Sequence, residues 1–140
     1  MSTNKTENLQ LHSWALDDQV KMSEFNENFA ALDAACGGMP HVAWGSYVGT
    51  GTYGQSNPTT LTFDFEPKLL LVTPTSYGYT MSRILAPRGC TYVRNSFGTS
   101  SNDEYTTRLR WDGNSVSYWS SNAGGQFNSL NSTFYYVAVG

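Results

Sequence analysis

Between residues 41 and 140 one theme recurs: a short apolar or alternating run, then a cluster of Gly, Asn, Asp, Ser or Pro, at about ten-residue intervals. Helices need a longer apolar period than such runs allow, so this stretch predicts short strands and turns, the pattern of a sandwich or barrel. The runs are Val42 to Val48, Thr60 to Phe65, Lys68 to Thr73, Thr80 to Leu85, Thr91 to Ser96, Thr106 to Trp111, Ser115 to Ser120 and Phe134 to Val139. Alternation in Thr60 to Phe65 points Leu61, Phe63 and Phe65 inward. Lys68 to Thr73 is apolar on both faces and reads as a central strand. Residues after 40 show no helical period.

The first 39 residues differ. They carry two Lys against six Asp or Glu, a net of −4, while 17 of the 20 aromatic residues fall in 41–140, whose net charge is +1. Gly37-Gly38-Met39-Pro40 reads as a helix stop and a linker, because Gly tolerates the left-handed conformation past a helix end and Pro cannot continue one. Two parts follow: 1–39, a tail with an oligomerisation helix, and 40–140, a β-sandwich tip. The fold class is mainly β, an antiparallel sandwich knob preceded by a short α-helix.

Within the first part Ser23 is a candidate N-cap, with Glu24 and Glu27 in the first turn, where the helix dipole favours negative charge. Met22, Phe25, Phe29, Leu32 and Cys36 recur at intervals of 3, 4, 3 and 4, a coiled-coil seam of about two heptads. Asp17 to Val20 reads as a preceding helical turn, with Leu11, Trp14 and Leu16 as anchors. A helix of ~14 residues is marginal alone in water and needs a partner. That partner is either the chain's own β part or further copies of the helix. The narrow seam and flexible linker favour copies, in a short parallel bundle.

Composition excludes several function classes. Charged residues make up 14%, well below the ~25% of ordinary soluble domains. Ser, Thr, Asn and Gly number 16, 15, 11 and 13 and take their place. A net charge of −3 with three lysines is a poor match for nucleic acid. The longest aliphatic run, Leu69 to Val72, falls far short of the ~20 residues that span a membrane. Met1 to Gln10 is polar and lacks a secretory core, which predicts that the chain stays in the cytosol or leaves within a larger assembly. Cys36 and Cys90 read as two reduced thiols.

Catalytic constellations are scarce. His12 and His41 have no Cys, Asp or Glu at ligand spacing, and phosphate-loop, GxSxG and HExxH motifs are absent. Gly49, Gly51 and Gly54 read as turn glycines, since no helix follows to make an anion site. Asp64 with Glu66, and Asp103 with Glu104, are the carboxylate pairs a glycosidase would use, but they read as a solvated strand face and a wet loop. The expectation is a non-enzyme without cofactor or metal.

Candidate binding residues come from one hairpin. If Gly113-Asn114 form its turn, Asp112 faces Ser115, Trp111 Val116, Arg110 Ser117, Leu109 Tyr118 and Arg108 Trp119. Leu109, Trp111, Val116 and Tyr118 then point to the core, and Arg108, Arg110 and Trp119 to the outside. An arginine over an exposed indole adds about 0.5–1 kcal/mol, so the group reads either as a stacked surface pair or as a ligand or subunit contact. Tyr77 and Tyr79 flank Gly78 in a turn and carry the same two readings.

The stretch Trp14 to Ala35, with Trp14, Asp18, Glu24-Phe25-Asn26-Glu27-Asn28-Phe29 and Leu32-Asp33-Ala34-Ala35, resembles the N-terminal helical segment of phage and prophage tail proteins from Gram-positive hosts. Gly45 to Thr52 and Leu61 to Lys68 are similar to the openings of tail-fibre tip domains, and Gln126-Phe127-Asn128 with Phe134 to Gly140 is similar to their terminal strand. The resemblance implies a homotrimer in the virion tail, assembled in the bacterial cytoplasm beside other tail proteins. Its β knob would recognise a host surface glycan or protein. The long attachment region of full-length fibres has no counterpart here, which suggests a small accessory tip or a prophage remnant. Two other readings remain: a purely structural tail decoration, and a free-standing carbohydrate-binding module.

Overall fold

A computed structural model describes residues 1–75, 83–96 and 104–140, without the side chains of Ser96 and Glu104. The chain forms two compact units, Met1–Pro40 and His41–Gly140.

In the first unit a small antiparallel pair, β1 (Asn4–Lys5) and β2 (His12–Ser13), precedes helix α1 (Met22–Gly37). Sixteen residues make α1 about 24 Å long. Its N-cap is Lys21, without a side-chain cap bond, so Ser23 lies inside the first turn instead of capping it. Glu24 accounts for the difference. It is 5% exposed, and its carboxylate accepts the Ser2 N–H at 3.0 Å and the Trp14 indole N–H at 2.9 Å, tying the N-terminal strand to the helix start. Asn28 exchanges two hydrogen bonds with the His12 backbone, at 2.6 and 2.9 Å, and fixes the strand pair on the helix. Residues 15–18 form a turn, not a helical one, closed by Asp18 accepting the Ala15 and Thr3 N–H groups. Leu16 is fully exposed and anchors nothing.

The second unit is a sandwich of two four-stranded sheets. Its strands are β3 (Val42–Val48), β4 (Thr59–Thr62), β5 (Leu69–Pro74), β6 (Ile84–Pro87), β7 (Tyr92–Ser96), β8 (Glu104–Asp112), β9 (Ser115–Trp119) and β10 (Thr133–Val139). One sheet has the order β3-β10-β5-β6, the other β4-β9-β8-β7, and every pairing is antiparallel. Glu104 opens β8 and so does not lie in a loop. Leu61, Leu70, Val72, Ile84, Val116 and Tyr118 fill the space between the sheets, with Phe127 and Phe134 at one end.

Register follows side-chain chemistry. On β3, Ala43, Gly45 and Tyr47 turn inward while Val42, Trp44, Ser46 and Val48 turn outward. Gly45 is needed because Tyr136, two strand positions from the end of β10's buried row, occupies the space of a Cβ there. β5 is flanked by β10 and β6, as a central strand should be, yet Leu69 and Leu71 on its outer side are only half-buried. Its second apolar face therefore reflects something other than burial within this unit.

The first and last strands of the sandwich are neighbours: His41 and Gly140 exchange backbone hydrogen bonds at 3.2 and 2.8 Å. At the opposite pole lie the segments 49–58 and 120–132, joined by a buried polar bracket. Gln126 is fully buried; its carbonyl accepts the Gly54 and Ser120 N–H groups, and its amide donates to the Asn57 carbonyl and the Thr59 hydroxyl. Asn128 bonds Thr50 and Thr52 in the same fashion. Phe127, between them, adopts a left-handed φ of 56°, uncommon for a residue with a side chain, and its carbonyl accepts the Tyr47 hydroxyl at 2.5 Å.

Candidate functional site

The hairpin β8–β9 has the predicted register at every pair from Arg108–Trp119 to Asp112–Ser115. Only Gly113 of the two turn residues has a positive φ, at 54°, so the turn is of the kind that needs glycine at its first central position and leaves Asn114 unstrained. Asn114 instead donates its side-chain N–H to the Phe63 carbonyl at 2.7 Å and holds the turn against the exit of β4. Leu109, Val116 and Tyr118 are buried, and Trp111 is half-buried. Arg108 and Arg110 are exposed on the other face, with Trp119 partly covered beside them.

Arg88 lies over an indole, 5.9 Å from the Trp111 ring centre. It also pairs with Glu66 and donates to the Pro67 and Gly113 carbonyls at 3.2 Å. Arg88 is thus a clamp at the His41 pole, fixing the 63–68 and 112–114 connections.

The outer face of the β4-β9-β8-β7 sheet gathers the candidate site. Register places Tyr92 opposite Arg108 and Arg108 opposite Trp119, so the three stand in one row across three strands. Tyr92 and Trp119 are then about 10 Å apart at their Cα atoms, with the guanidinium side chain between them. The next row is Arg110, Ser117 and Thr60, and the Ser117 and Thr60 hydroxyls share a hydrogen bond at 2.9 Å. Thr62 and Ser115 repeat that bond. At one end the face sinks into a hollow of about 440 Å³ lined by Tyr105, Thr106, Arg108, Trp119, Ser120 and Ser121. Rings, hydroxyls and exposed cations on one sheet face offer stacking and hydrogen bonds together. Tyr92 was not singled out in the sequence. The alternation of its own strand turns it outward, but its place beside Arg108 follows from the β7–β8 register, which no turn motif announces.

Tyr77 and Tyr79 lie outside the described residues. Asp64 and Glu66 are exposed beyond the end of β4, and among the described residues no group of three His, Cys, Asp or Glu side chains is placed to hold a metal ion. Cys36 and Cys90 are free thiols.

Behind the site, the buried Tyr118 hydroxyl donates to that of Tyr47 at 2.8 Å. Burial pushes the Tyr47 phenol far above its ordinary range, against a smaller opposing effect from the Tyr118 bond. Burial, reinforced by Tyr47, raises Tyr118 as well. This pair supports the sheets and does not face the candidate surface.

The first unit carries the helix ridge. Phe25 stacks on Trp14 with ring centres 5.7 Å apart, and Phe29 meets Phe25 edge-on at 5.2 Å. With Leu11, Asn28 and Leu32 these rings line an apolar hollow of about 280 Å³. Met22, Phe25, Phe29, Leu32 and Cys36 all remain exposed, Met22 at 74% and Phe29 at 59%.

No helix among the described residues is long and apolar enough to cross a membrane. No family model matches the sequence, and comparisons with curated proteins and with solved structures find no match.

Proposed function

We propose that this chain is a phage or prophage tail protein that binds the host cell surface without catalysing a reaction. In this reading the β unit contacts bacterial surface glycan through the outer face of β7, β8 and β9. The observation that carries it is the row Tyr92–Arg108–Trp119: two rings flanking a guanidinium on a face that also bears Arg94, Arg110 and several Ser and Thr hydroxyls. Flat rings stack on the apolar faces of pyranoses, the hydroxyls and arginines bond sugar hydroxyls, and a cationic face suits acidic sugars. Tyr and Trp also give contact area at low entropic cost.

One such face binds weakly. The exposed helix ridge supports a homotrimer, in which three faces act together and gain the avidity that a single one lacks. The resemblance of the helix and terminal strand to tail-fibre segments supports the same assignment, including a place in the virion tail.

The test is Trp119→Ala on a microbial glycan array, read beside the melting temperature. Trp119 borders the surface and not the core, so the expected result is loss of the bound signal with the fold retained. Binding equal to wild type, or no bound glycan for either protein, overturns the assignment of this face.

A further inference from the structure

The other outer face of the sandwich has a different character. Trp44, Val137, Leu71 and Leu85 stand in one row across β3, β10, β5 and β6, and Val42, Val139, Leu69 and Pro87 form the row beside it. Trp44 is 77% exposed and Leu85 60%, with Val42, Val48 and Tyr135 also open. None of the strand-paired positions on this face is charged, and one exposed cation, Arg83, stands at its border just before β6. Isolated exposed apolar residues need no explanation, but contiguous rows spanning a whole sheet mark an interaction surface.

The sequence of β5 points the same way. A strand apolar on both sides is ordinarily covered on both sides, and here one side is covered by the sandwich while the other is open. We infer that the outer face of β3-β10-β5-β6 packs against the same face of further copies of this chain.

Three observations select a second copy. With its one cation, Arg83, at the border, the apolar rows can meet the same rows of other copies without burying an unpaired ion. Four strands about 4.8 Å apart and some 20 Å long give on the order of 400 Å² in plan, a substantial part of the ~800 Å² each partner contributes to a standard interface. The same chain also carries the exposed helix ridge, so both units present uncharged surface that association would cover, and neither surface alone suffices. This inference rests on the proposed multimer but not on glycan binding, and it divides the faces of the β unit: one sheet for assembly, the other for the ligand.

The experiment uses the full chain. Sedimentation velocity is run on wild type, on the double variant Trp44→Lys/Leu85→Lys and on Phe29→Asp, with circular dichroism as the fold check. Wild type should sediment as a multimer and the sheet-face variant should lose that mass. Hydroxyl-radical labelling of wild type needs no substitution: labelling of Trp44 and Leu85 should fall severalfold as protein concentration rises, while that of Trp119 stays constant. A monomeric wild type overturns both the inference and the multimer. If Phe29→Asp dissociates but the lysine variant keeps wild-type mass, or if Trp44 labelling does not change with concentration, the sheet-face inference fails and the helix ridge stands.

Discussion

Replacing Gln126 by Leu tests whether the buried bracket holds the pole that carries the 49–58 and 120–132 segments. Leucine has similar bulk, so the cavity is not the issue. The change removes an acceptor for two backbone N–H groups, those of Gly54 at 2.9 Å and Ser120 at 3.3 Å, and a donor to the Asn57 carbonyl and the Thr59 hydroxyl. Asn57 is exposed and the Thr59 hydroxyl can rotate, so water or another partner replaces those bonds. Ser120 is buried, and Gly54 is half-buried. Each stranded N–H costs about 1–3 kcal/mol, and the half-buried Gly54 amide, which water reaches in part, lies at the low end, giving about 2–4 kcal/mol together. For a unit of this size that corresponds to a melting temperature lower by about 10–25 °C. Differential scanning calorimetry reads the shift, and amide hydrogen exchange should show Gly54 and Ser120 opening before the strands. A melting temperature within about 3 °C of wild type, or unchanged exchange at both amides, refutes the bracket.

Other expectations follow from the same contacts. If the proposed multimer forms through the helix ridge, Phe25→Asp or Phe29→Asp should convert it to monomers with the sandwich still folded; light scattering that still reports the wild-type mass removes the ridge from that proposal. Burial opposes ionisation of Glu24, but the Trp14 and Ser2 donors outweigh it and hold the carboxyl below the usual range. The sign is that of a depressed acid: its contribution is present at neutral pH and lost as pH falls below 4.5 through the lower folded value. The Trp14 indole and Ser2 amide resonances should therefore shift on acidification, and Glu24→Gln should abolish that dependence. Tyr47 and Tyr118 carry the opposite sign, their raised values making the fold lose stability as pH climbs above 10. An alkaline titration should show these two phenols ionising only with unfolding, and early phenolate absorbance from Tyr47 would contradict it.

Legibility of the fold depended on how local each signal is. The β8–β9 register could be read pair by pair because a Gly-containing turn and strict alternation act within a dozen residues. The heptad spacing located α1 for similar reasons. Its start was misjudged because Glu24 is held by Ser2 and Trp14 from another segment, which no cap motif encodes. In the sequence Gln126 and Asn128 stand out only through the resemblance to a terminal strand, because the bracket they form joins positions some seventy residues apart. Arg88 was overlooked for the same reason, since Glu66, Pro67, Trp111 and Gly113 converge on it only after folding. Trp119 and Arg108 were found on the candidate face, but Tyr92 was not, because strand order across β7, β8 and β9 is a tertiary fact.

The partnership of β3 with β10 has a mechanical side. A tug entering at His41, with the other sheet held in place, would run along β3 and load its seven paired residues on β10 in shear. Rungs strained side by side must give way together, whereas an unzipping geometry breaks them singly. The arrangement makes the join between His41 and the sandwich resist a pull along β3.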